Sequence, residues 1–342
     1  MTGDLTVFSD GQLYIGHSAL GSLASVTVTK DPLSTMPQKR VNNTTFTFCD
    51  TPQSLSAVAA NIRGSSTVFL DCEGHDLGLA GGGLSLISLG APTPNQPQTY
   101  LIDAVALGTS ELRPIFDILE SPNVQKVVFD GRMNQTALFY DHGGVRLQNV
   151  VDLQLADIKS RVLRGENEGS LEQLMRLSPY LLQSEVEKNP QLYYKVQKAS
   201  GAGADFYSHH STGRFKHTSW LRRPLPQTAL VYAANDITLI AHLWEEFVDQ
   251  GYIDGKLGVQ SLRYVRLWTT GPQINVNHRY KLHALLPLEI LEDTTAVERT
   301  KLCPLCERLL PQRCFSITSW NRDVNRTCLV CRAIGIRIIK QK

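Results

Sequence analysis

Two carboxylates lie two residues apart at the end of an apolar run in the segment STVFLDCEGHDLG, residues 66–78. The run predicts a buried strand, and side chains along a strand alternate between its two faces. Asp71 and Glu73 therefore point to one face, and Cys72 between them points to the other. Neighbouring carboxylates at a buried position repel each other and resist desolvation, and a bound cation relieves both costs. The spacing therefore indicates a site for a divalent metal ion with oxygen ligands.

A second pair of polar side chains lies on the most regular helix that the sequence predicts, PLPQTALVYAANDITLIAHLWEEFVDQG. This helix begins near Pro226, keeps its apolar residues at a 3.6-residue period, and ends at Gly251. Tyr232 and Asp236 are four residues apart and therefore project from the same face. On its own, the pair is more typical of an exposed polar edge than of a site.

A third group is formed by cysteines, five of which lie in the last forty residues. The two pairs Cys303-x-x-Cys306 and Cys328-x-x-Cys331 are about twenty residues apart, a spacing typical of a tetrahedral zinc site with four cysteine ligands. With four protein ligands the zinc is structural, and a module this short is expected to need the metal to fold. The fifth, Cys314, is expected to pack as a small apolar residue.

The cysteine-rich end is also basic. Residues 301–342 carry nine Lys/Arg and two Asp/Glu, a balance of +7, which leaves 2 − 7 = −5 on the remainder of the chain. This asymmetry favours a polyanionic partner for the basic end. The side chains that could grip phosphates and stack on bases are Arg308, Arg313, Arg322, Arg326 and Arg332 with Phe315 and Trp320. The alternative is a basic, solvated face on a finger that binds protein.

Strands and helices alternate from Thr45 onwards, and a mixed sheet flanked by helices must position the first two groups. Residues 1–42 form at most a small β element, and residues 160–225 are expected to be helical or irregular. The sequence has no signal peptide, no apolar window of about 18 residues, and no serine hydrolase or zinc protease motif. We expect a soluble intracellular protein, nuclear or cytoplasmic, with no membrane partner.

Three segments in order resemble the motifs of the DEDD-type 3′–5′ exonucleases, in the RNase D-like and Egalitarian-like branch with the tyrosine variant. The segments are FLDCEG, KVVFDGRMNQTALFYDHG and YAAND, and the resemblance covers roughly residues 44–250. It implies an RNase H-like α/β fold and two Mg²⁺ or Mn²⁺ ions about 4 Å apart. It also implies that Asp71 bridges the ions, that Glu73 and Asp236 complete the first ion's site, and that Tyr232 orients the attacking water.

The second motif departs from the family, because Asn134 stands where the family has an aspartate. An asparagine offers a carbonyl oxygen but no charge to hold a second ion. Either activity persists with this residue in the site, or the fold survives as a nucleic-acid-binding module. Asp130 is expected to cap the strand end or bond to the following turn. For Arg132, a substrate contact and an ion pair are equally compatible with the sequence.

These observations together predict an RNase H-like α/β domain with a small C-terminal zinc-binding module. The predicted segments are an extension at 1–43, the exonuclease domain at 44–255, a connection at 256–299, the zinc finger at 300–334 and a basic tail at 335–342. The leading function is metal-dependent 3′–5′ exonuclease action on RNA or single-stranded DNA, releasing nucleoside 5′-monophosphates. The alternatives are a catalytically impaired nucleic-acid-binding or scaffold protein and a protein that acts through protein partners bound to the finger.

Overall fold

The computed structural model describes residues 5–7, 13–15, 38–41, 44–94, 97–157, 180–182, 217–282, 285–290 and 298–340. The chain divides into two compact units, residues 1–35 and residues 36–342. In the first unit, β1 (Leu5–Val7) pairs antiparallel with β2 (Leu13–Ile15). All other described elements belong to the second unit. Most of the segment predicted as helical or irregular at 160–225 lies outside the described residues.

A seven-stranded mixed sheet forms the centre of the second unit, in the order β3-β4-β7-β6-β5-β8-β9. Neighbours are parallel at β4–β7, β5–β8 and β8–β9 and antiparallel at β3–β4, β6–β7 and β5–β6. This mixed sheet confirms the predicted fold class. The strands are β3 (Gln38–Val41), β4 (Thr44–Cys49), β5 (Thr67–His75), β6 (Gly83–Ala91), β7 (Gln98–Asp103), β8 (Gln125–Val128) and β9 (Val150–Asp152).

Helices flank both faces of the sheet. Thr51, the N-cap of the first helix, accepts a hydrogen bond from the backbone N–H of Ser54 and forms a capping box with it. Among the described residues, no helix is long and apolar enough to cross a membrane. The helices are α1 (Pro52–Ile62), α2 (Arg113–Glu120), α3 (Arg132–Asp141), α4 (Gln227–Asp249), α5 (Gly255–Val265), α6 (Ile317–Trp320) and α7 (Leu329–Lys340).

The alternation of side chains along β5 divides the core into two layers. Leu70 and Cys72 are buried on one face, in the core that includes α1, α2 and α3. Phe69 is buried on the opposite face, against Ile237 of α4. Because Asp71 shares the pleat direction of Phe69, strand periodicity alone places it on the side covered by α4.

Two shorter strand pairs also belong to the second unit. β10 (Tyr180–Leu182) pairs antiparallel with β11 (Leu285–Pro287). In the cysteine-rich end, β12 (Thr300–Cys303) pairs antiparallel with β13 (Arg308–Pro311), and α6 and α7 follow. The β12–β13 hairpin and these two helices together form the zinc module.

Candidate active site and zinc module

Three carboxylates from two elements meet at one point. Asp71 and Glu73 project from β5, and Asp236 projects from α4. One carboxylate oxygen of each lies within 4.8 Å of the other two, and all three side chains remain partly exposed. The pairing of β5 with β6 shifts register between Glu73 and Gly74, which is a β-bulge just after the second carboxylate.

A glycine allows α4 to approach the sheet closely enough for this meeting. An ideal Cβ on Gly90 of β6 would lie only 2.4 Å from Cγ2 of Ile237 and 3.2 Å from Cδ2 of Phe69. Ile237 directly follows Asp236 on the helix. The absence of a side chain at Gly90 therefore sets the distance between Asp236 and β5.

Replacing Gly90 with valine is expected to move α4 outward and separate Asp236 from Asp71 and Glu73. The overpacking should lower the free energy of unfolding by about 1–3 kcal/mol and weaken divalent metal binding by roughly tenfold or more. Chemical denaturation and Mn²⁺ titration measure the two effects. The control is Gly64→Val, since nothing lies within 4 Å of a Cβ at Gly64. Equal Mn²⁺ affinity in both variants would contradict this account of the packing.

The cluster holds its protons more tightly than ordinary carboxylates do. Burial raises the pKa of Asp71 from 3.8 to about 6, and the hydrogen bond from Asn134 opposes the shift. Burial, followed by repulsion from Asp71 and Asp236, raises the pKa of Glu73 well above its usual value. The pKa of Asp236 is likewise raised well above its usual value by burial and by Asp71, while a hydrogen bond from Tyr232 lowers it. A cation that displaces these protons removes the repulsion.

The carboxylate oxygens fit a hard divalent ion. Six oxygens around Mg²⁺ at about 2.1 Å are separated by about 3.0 Å when adjacent and about 4.2 Å when opposite. The three oxygens are no more than 4.8 Å apart, and this upper limit is close to that range. The chemistry of the donors therefore agrees with the predicted Mg²⁺ or Mn²⁺.

Metal stabilisation is expected to depend on pH. The pKa of Asp71 is about 6 in the folded protein and 3.8 in the unfolded chain. In the metal-free protein, the stability that protonated Asp71 contributes is therefore fully present below about pH 4 and is lost as the pH rises through about 6. A bound cation compensates for this loss only where the carboxylate is ionised. Mn²⁺ should therefore raise Tm by roughly 5 °C or more at pH 8 and by much less at pH 5. Thermal melts of zinc-loaded protein, with NaCl of equal ionic strength as the control, measure this. Equal shifts at both pH values would contradict it.

Asn134 joins the carboxylates from α3. Its Nδ2 donates a hydrogen bond to Oδ1 of Asp71 over 3.1 Å. The side chain is only 4% exposed. All five site residues predicted from the sequence are thus placed in the same region: Asp71, Glu73, Asn134, Tyr232 and Asp236.

An ion pair holds the start of α3. Arg132 donates from Nε to Oδ1 of Asp130 over 2.7 Å and from a terminal nitrogen to Oδ2 over 2.9 Å. Arg132 is 7% exposed, so the interpretation of it as a phosphate contact is wrong and the ion-pair interpretation is confirmed. Asp130 has φ of 50°, and the Asp152 carboxylate accepts the backbone N–H groups of Asp130 and Gly131. The fold thereby fixes the turn that leads into Asn134.

The sequence analysis did not predict that Asp152 and Tyr264 take part in this hydrogen-bond network around Asp130. The hydroxyl of Tyr264 on α5 donates to Oε1 of Gln154 over 2.5 Å and also lies 3.2 Å from Oδ1 of Asp130. The guanidinium of Arg132 lies 4.9 Å from the centre of the Tyr264 ring. Asp152 carries a sequence signal, because it ends a strand parallel to the one before Asp130, and such ends meet at one sheet edge. Tyr264 carries none, since only the tertiary fold brings it there.

The four predicted zinc ligands form a closed cluster. The sulfurs of Cys303, Cys306, Cys328 and Cys331 all lie within 4.8 Å of one another, and all four residues are buried. The Sγ–Sγ distances are 3.8 Å for Cys303–Cys331 and 3.9 Å for Cys306–Cys328. A tetrahedron with Zn–S bonds of about 2.3 Å has edges of about 3.8 Å, whereas a disulfide is about 2.05 Å long. The distances therefore fit zinc and exclude disulfides.

Other residues of the zinc module do not all behave as predicted. Phe315 and Trp320 are 5% and 9% exposed and pack on each other, so the prediction that they stack on bases is wrong. Burial raises the pKa of Cys314, as expected for a thiol that packs as an apolar residue. Of the five arginines predicted as phosphate contacts, Arg313, Arg322 and Arg332 are exposed and Arg326 is half-exposed. The fifth, Arg308, pairs with Glu289.

The zinc module is attached to the sheet domain by ion pairs around one 3-10 turn, Leu288–Ile290. Glu289 accepts from Arg308 of β13, and its backbone carbonyl lies 3.4 Å from Nη1 of Arg263 on α5. The next residue, Ile290, is buried in the core beside α4 and α5. Lys281 donates to Glu307 over 2.8 Å. In this turn, Glu289 thus contacts the zinc module and the neighbouring Ile290 packs in the core of the sheet domain.

Comparison with known proteins gives a match to one family model and matches to solved structures. The family model described as 3′–5′ exonuclease matches residues 46–251, more than half of the chain. No curated protein matches the sequence. RNase D from Trypanosoma brucei, in a complex with GMP, matches with a TM-score of 0.51 at 17% identity, over 77% of this chain and 82% of that one. This likeness shows a shared fold.

Two further solved structures are more distant. RNase D from Escherichia coli has a TM-score of 0.43 and 21% identity, over 69% of this chain and 52% of that one. The present chain therefore spans about half the length of that enzyme. The Nibbler EXO domain from Aedes aegypti has a TM-score of 0.40 and 18% identity, over 64% of this chain and 94% of that one.

Proposed function

The chain belongs to the 3′–5′ exonuclease family, and from that premise we propose that it is a metal-dependent exonuclease acting on the 3′ ends of RNA or single-stranded DNA. The product would be nucleoside 5′-monophosphates. The observation that carries the proposal is the meeting of Asp71, Glu73 and Asp236 within 4.8 Å. Carboxylates at this separation destabilise a fold unless they serve a cation, and the raised pKa of each reflects that cost.

Each residue has a distinct role in the proposed reaction. Asp71 and Glu73 of β5 and Asp236 of α4 would hold the divalent ion. Bound Mg²⁺ or Mn²⁺ supplies the Lewis acidity that stabilises negative charge developing on the scissile phosphate. The Tyr232 hydroxyl, which donates to Asp236, orients the attacking water. Asn134 holds Asp71 through its amide.

The zinc module is proposed to contribute to partner binding and to need Zn²⁺ for its structure. The exposed Arg322 and Arg332 are suited to phosphates of a nucleic acid strand. Leu309 and Ile317 are 69% and 75% exposed, which would instead suit a protein partner. Salt-sensitive binding that is lost in the double variant Arg322→Ala, Arg332→Ala would support the nucleic acid.

The second candidate function is nucleic-acid binding or scaffolding without turnover. It is favoured by one observation, the neutral Asn134 side chain at the position where the family has an aspartate. This candidate shares the fold and the zinc module and differs only in having no chemical step. Tight binding without mononucleotide release would distinguish it from the first.

A degradation assay tests the proposal. The zinc-loaded protein is incubated with 5′-labelled single-stranded RNA, and separately with the DNA analogue, at pH 8 with Mg²⁺ or Mn²⁺. A ladder that shortens from the 3′ end, with mononucleotides as the product and no reaction without the divalent ion, is the expected result. An intact substrate under all conditions, with the strand nonetheless bound in a gel-shift assay, would establish the second candidate.

A further inference from the structure

Asn134 makes a contact that bears directly on how many ions the centre holds. Its amide donates to Oδ1 of Asp71, a carboxylate of the cluster that would hold the ion. Asp71 thus belongs to the cluster with Glu73 and Asp236, and it also accepts the hydrogen bond from the Asn134 amide. At 4% exposure, Asn134 has almost no water competing for this contact. The hydrogen bond is therefore a persistent feature of the site.

The neighbours of Asn134 fix its place. Arg132, two residues before it, is clamped to both oxygens of Asp130. Gln135, directly after it, donates to the carbonyl of Val145 over 2.9 Å and accepts from the backbone N–H of Leu147 over 2.7 Å. Because both flanking side chains are buried and bonded, the first turn of α3 cannot rotate without breaking these contacts.

The orientation of the amide follows from chemistry. Exchanging its nitrogen and oxygen would set a carbonyl oxygen against the Asp71 carboxylate, and two acceptors repel at 3.1 Å. The Asn134 side chain therefore presents its nitrogen, and not its oxygen, to the Asp71 carboxylate. The Asn134 side chain is thus a donor to a metal ligand, whereas a carboxylate there would be a ligand itself.

The charge balance of the centre also argues against a second ion. Three ionised carboxylates carry −3, so one divalent ion leaves the centre at −1 and two would leave it at +1. Four carboxylates would balance two divalent ions, so the neutral Asn134 removes the charge that would compensate the second ion. We propose that this centre holds a single divalent ion and that the Asn134 amide takes the place of the second. The inference rests on the proposed metal site and deepens it by fixing the number of ions and giving Asn134 a positioning role.

A Mn²⁺ titration of the full, zinc-loaded chain tests this without nucleic acid. Electron paramagnetic resonance counts the bound ions in wild type, Asn134→Asp and Asn134→Ala, and thermal melts confirm that each variant is folded. The expected counts are one, two and one. A pair of ions in Asn134→Asp should also show the broadened signal of coupled spins. Asn134→Ala is the matched control, because it removes the amide without adding a charge.

The outcomes separate the proposals. Two ions in the wild type, or a single ion in folded Asn134→Asp, would overturn the one-ion inference. No bound Mn²⁺ in the wild type would overturn both this inference and the proposed metal site. One bound ion in a protein that releases no mononucleotides would support the one-ion centre while rejecting the exonuclease proposal.

Discussion

Replacing Asp71 with asparagine is expected to lower the rate of nucleotide release by about 10³-fold or more. The substitution keeps the shape of the side chain and its acceptor for the Asn134 amide, but it removes one charge from the cluster that binds the ion. Loss of a bound Lewis acid costs several kcal/mol of transition-state stabilisation, and each 1.36 kcal/mol is about tenfold in rate. Single-turnover degradation of labelled RNA with Mn²⁺ measures the effect.

The same variant should be more stable than the wild type when Mg²⁺ and Mn²⁺ are absent. Burial raises the pKa of Asp71 to about 6, so its ionised form at pH 8 destabilises the metal-free fold, and a neutral amide removes that cost. An increase in Tm at pH 8 therefore accompanies the loss of activity and separates it from unfolding. The control is Asp117→Asn, an exposed carboxylate on α2. A variant that keeps a tenth of the wild-type rate would contradict the proposed role.

Replacing Cys303 with serine is expected to remove the zinc ion and unfold the zinc module. The module's core consists mainly of the ligands and the side chains packed around them, so little else holds it together. Zinc binding in comparable small modules contributes on the order of 10 kcal/mol to folding. Elemental analysis should find one zinc per wild-type chain and none in the variant, and limited proteolysis should cleave near residue 300 only in the variant.

Cys314→Ala provides the control for this prediction. Cys314 lies in the same core, but its sulfur is not part of the four-sulfur cluster. It should therefore keep one zinc and resist the protease. A zinc-free Cys314→Ala, or a zinc-loaded Cys303→Ser, would overturn the assignment of the ligands.

Local patterns were sufficient to predict the sheet and most of the site. The alternation of β5 placed Asp71 and Glu73 on one face, and the helical spacing of α4 placed Tyr232 beside Asp236. Each of these relations spans at most four residues, and backbone geometry fixes it directly. The meeting of β5 with α4 was implied only by the resemblance to a family, because no local pattern encodes a contact over more than 160 positions.

The parts that were missed depend on tertiary packing. Arg132 was ambiguous in the sequence, since an arginine is equally suited to a phosphate and to a carboxylate. Its burial under Tyr264 decides the matter, and that tyrosine lies more than 130 residues further along the chain. Trp320 was predicted to stack on bases, yet a module with so small a core buries its aromatic side chains.

The shared 3-10 turn has a consequence for how the protein melts. Glu289 is bonded to Arg308 of the zinc module, and Ile290 lies in the core under α4 and α5. If the module opened, Glu289 would keep its place in the sheet domain but lose its cationic partner, which makes opening costly for both parts. Opening of the zinc module is therefore expected to destabilise the sheet domain as well. Loss of zinc is thus expected to lower the temperature at which the sheet domain, and with it the carboxylate centre, unfolds.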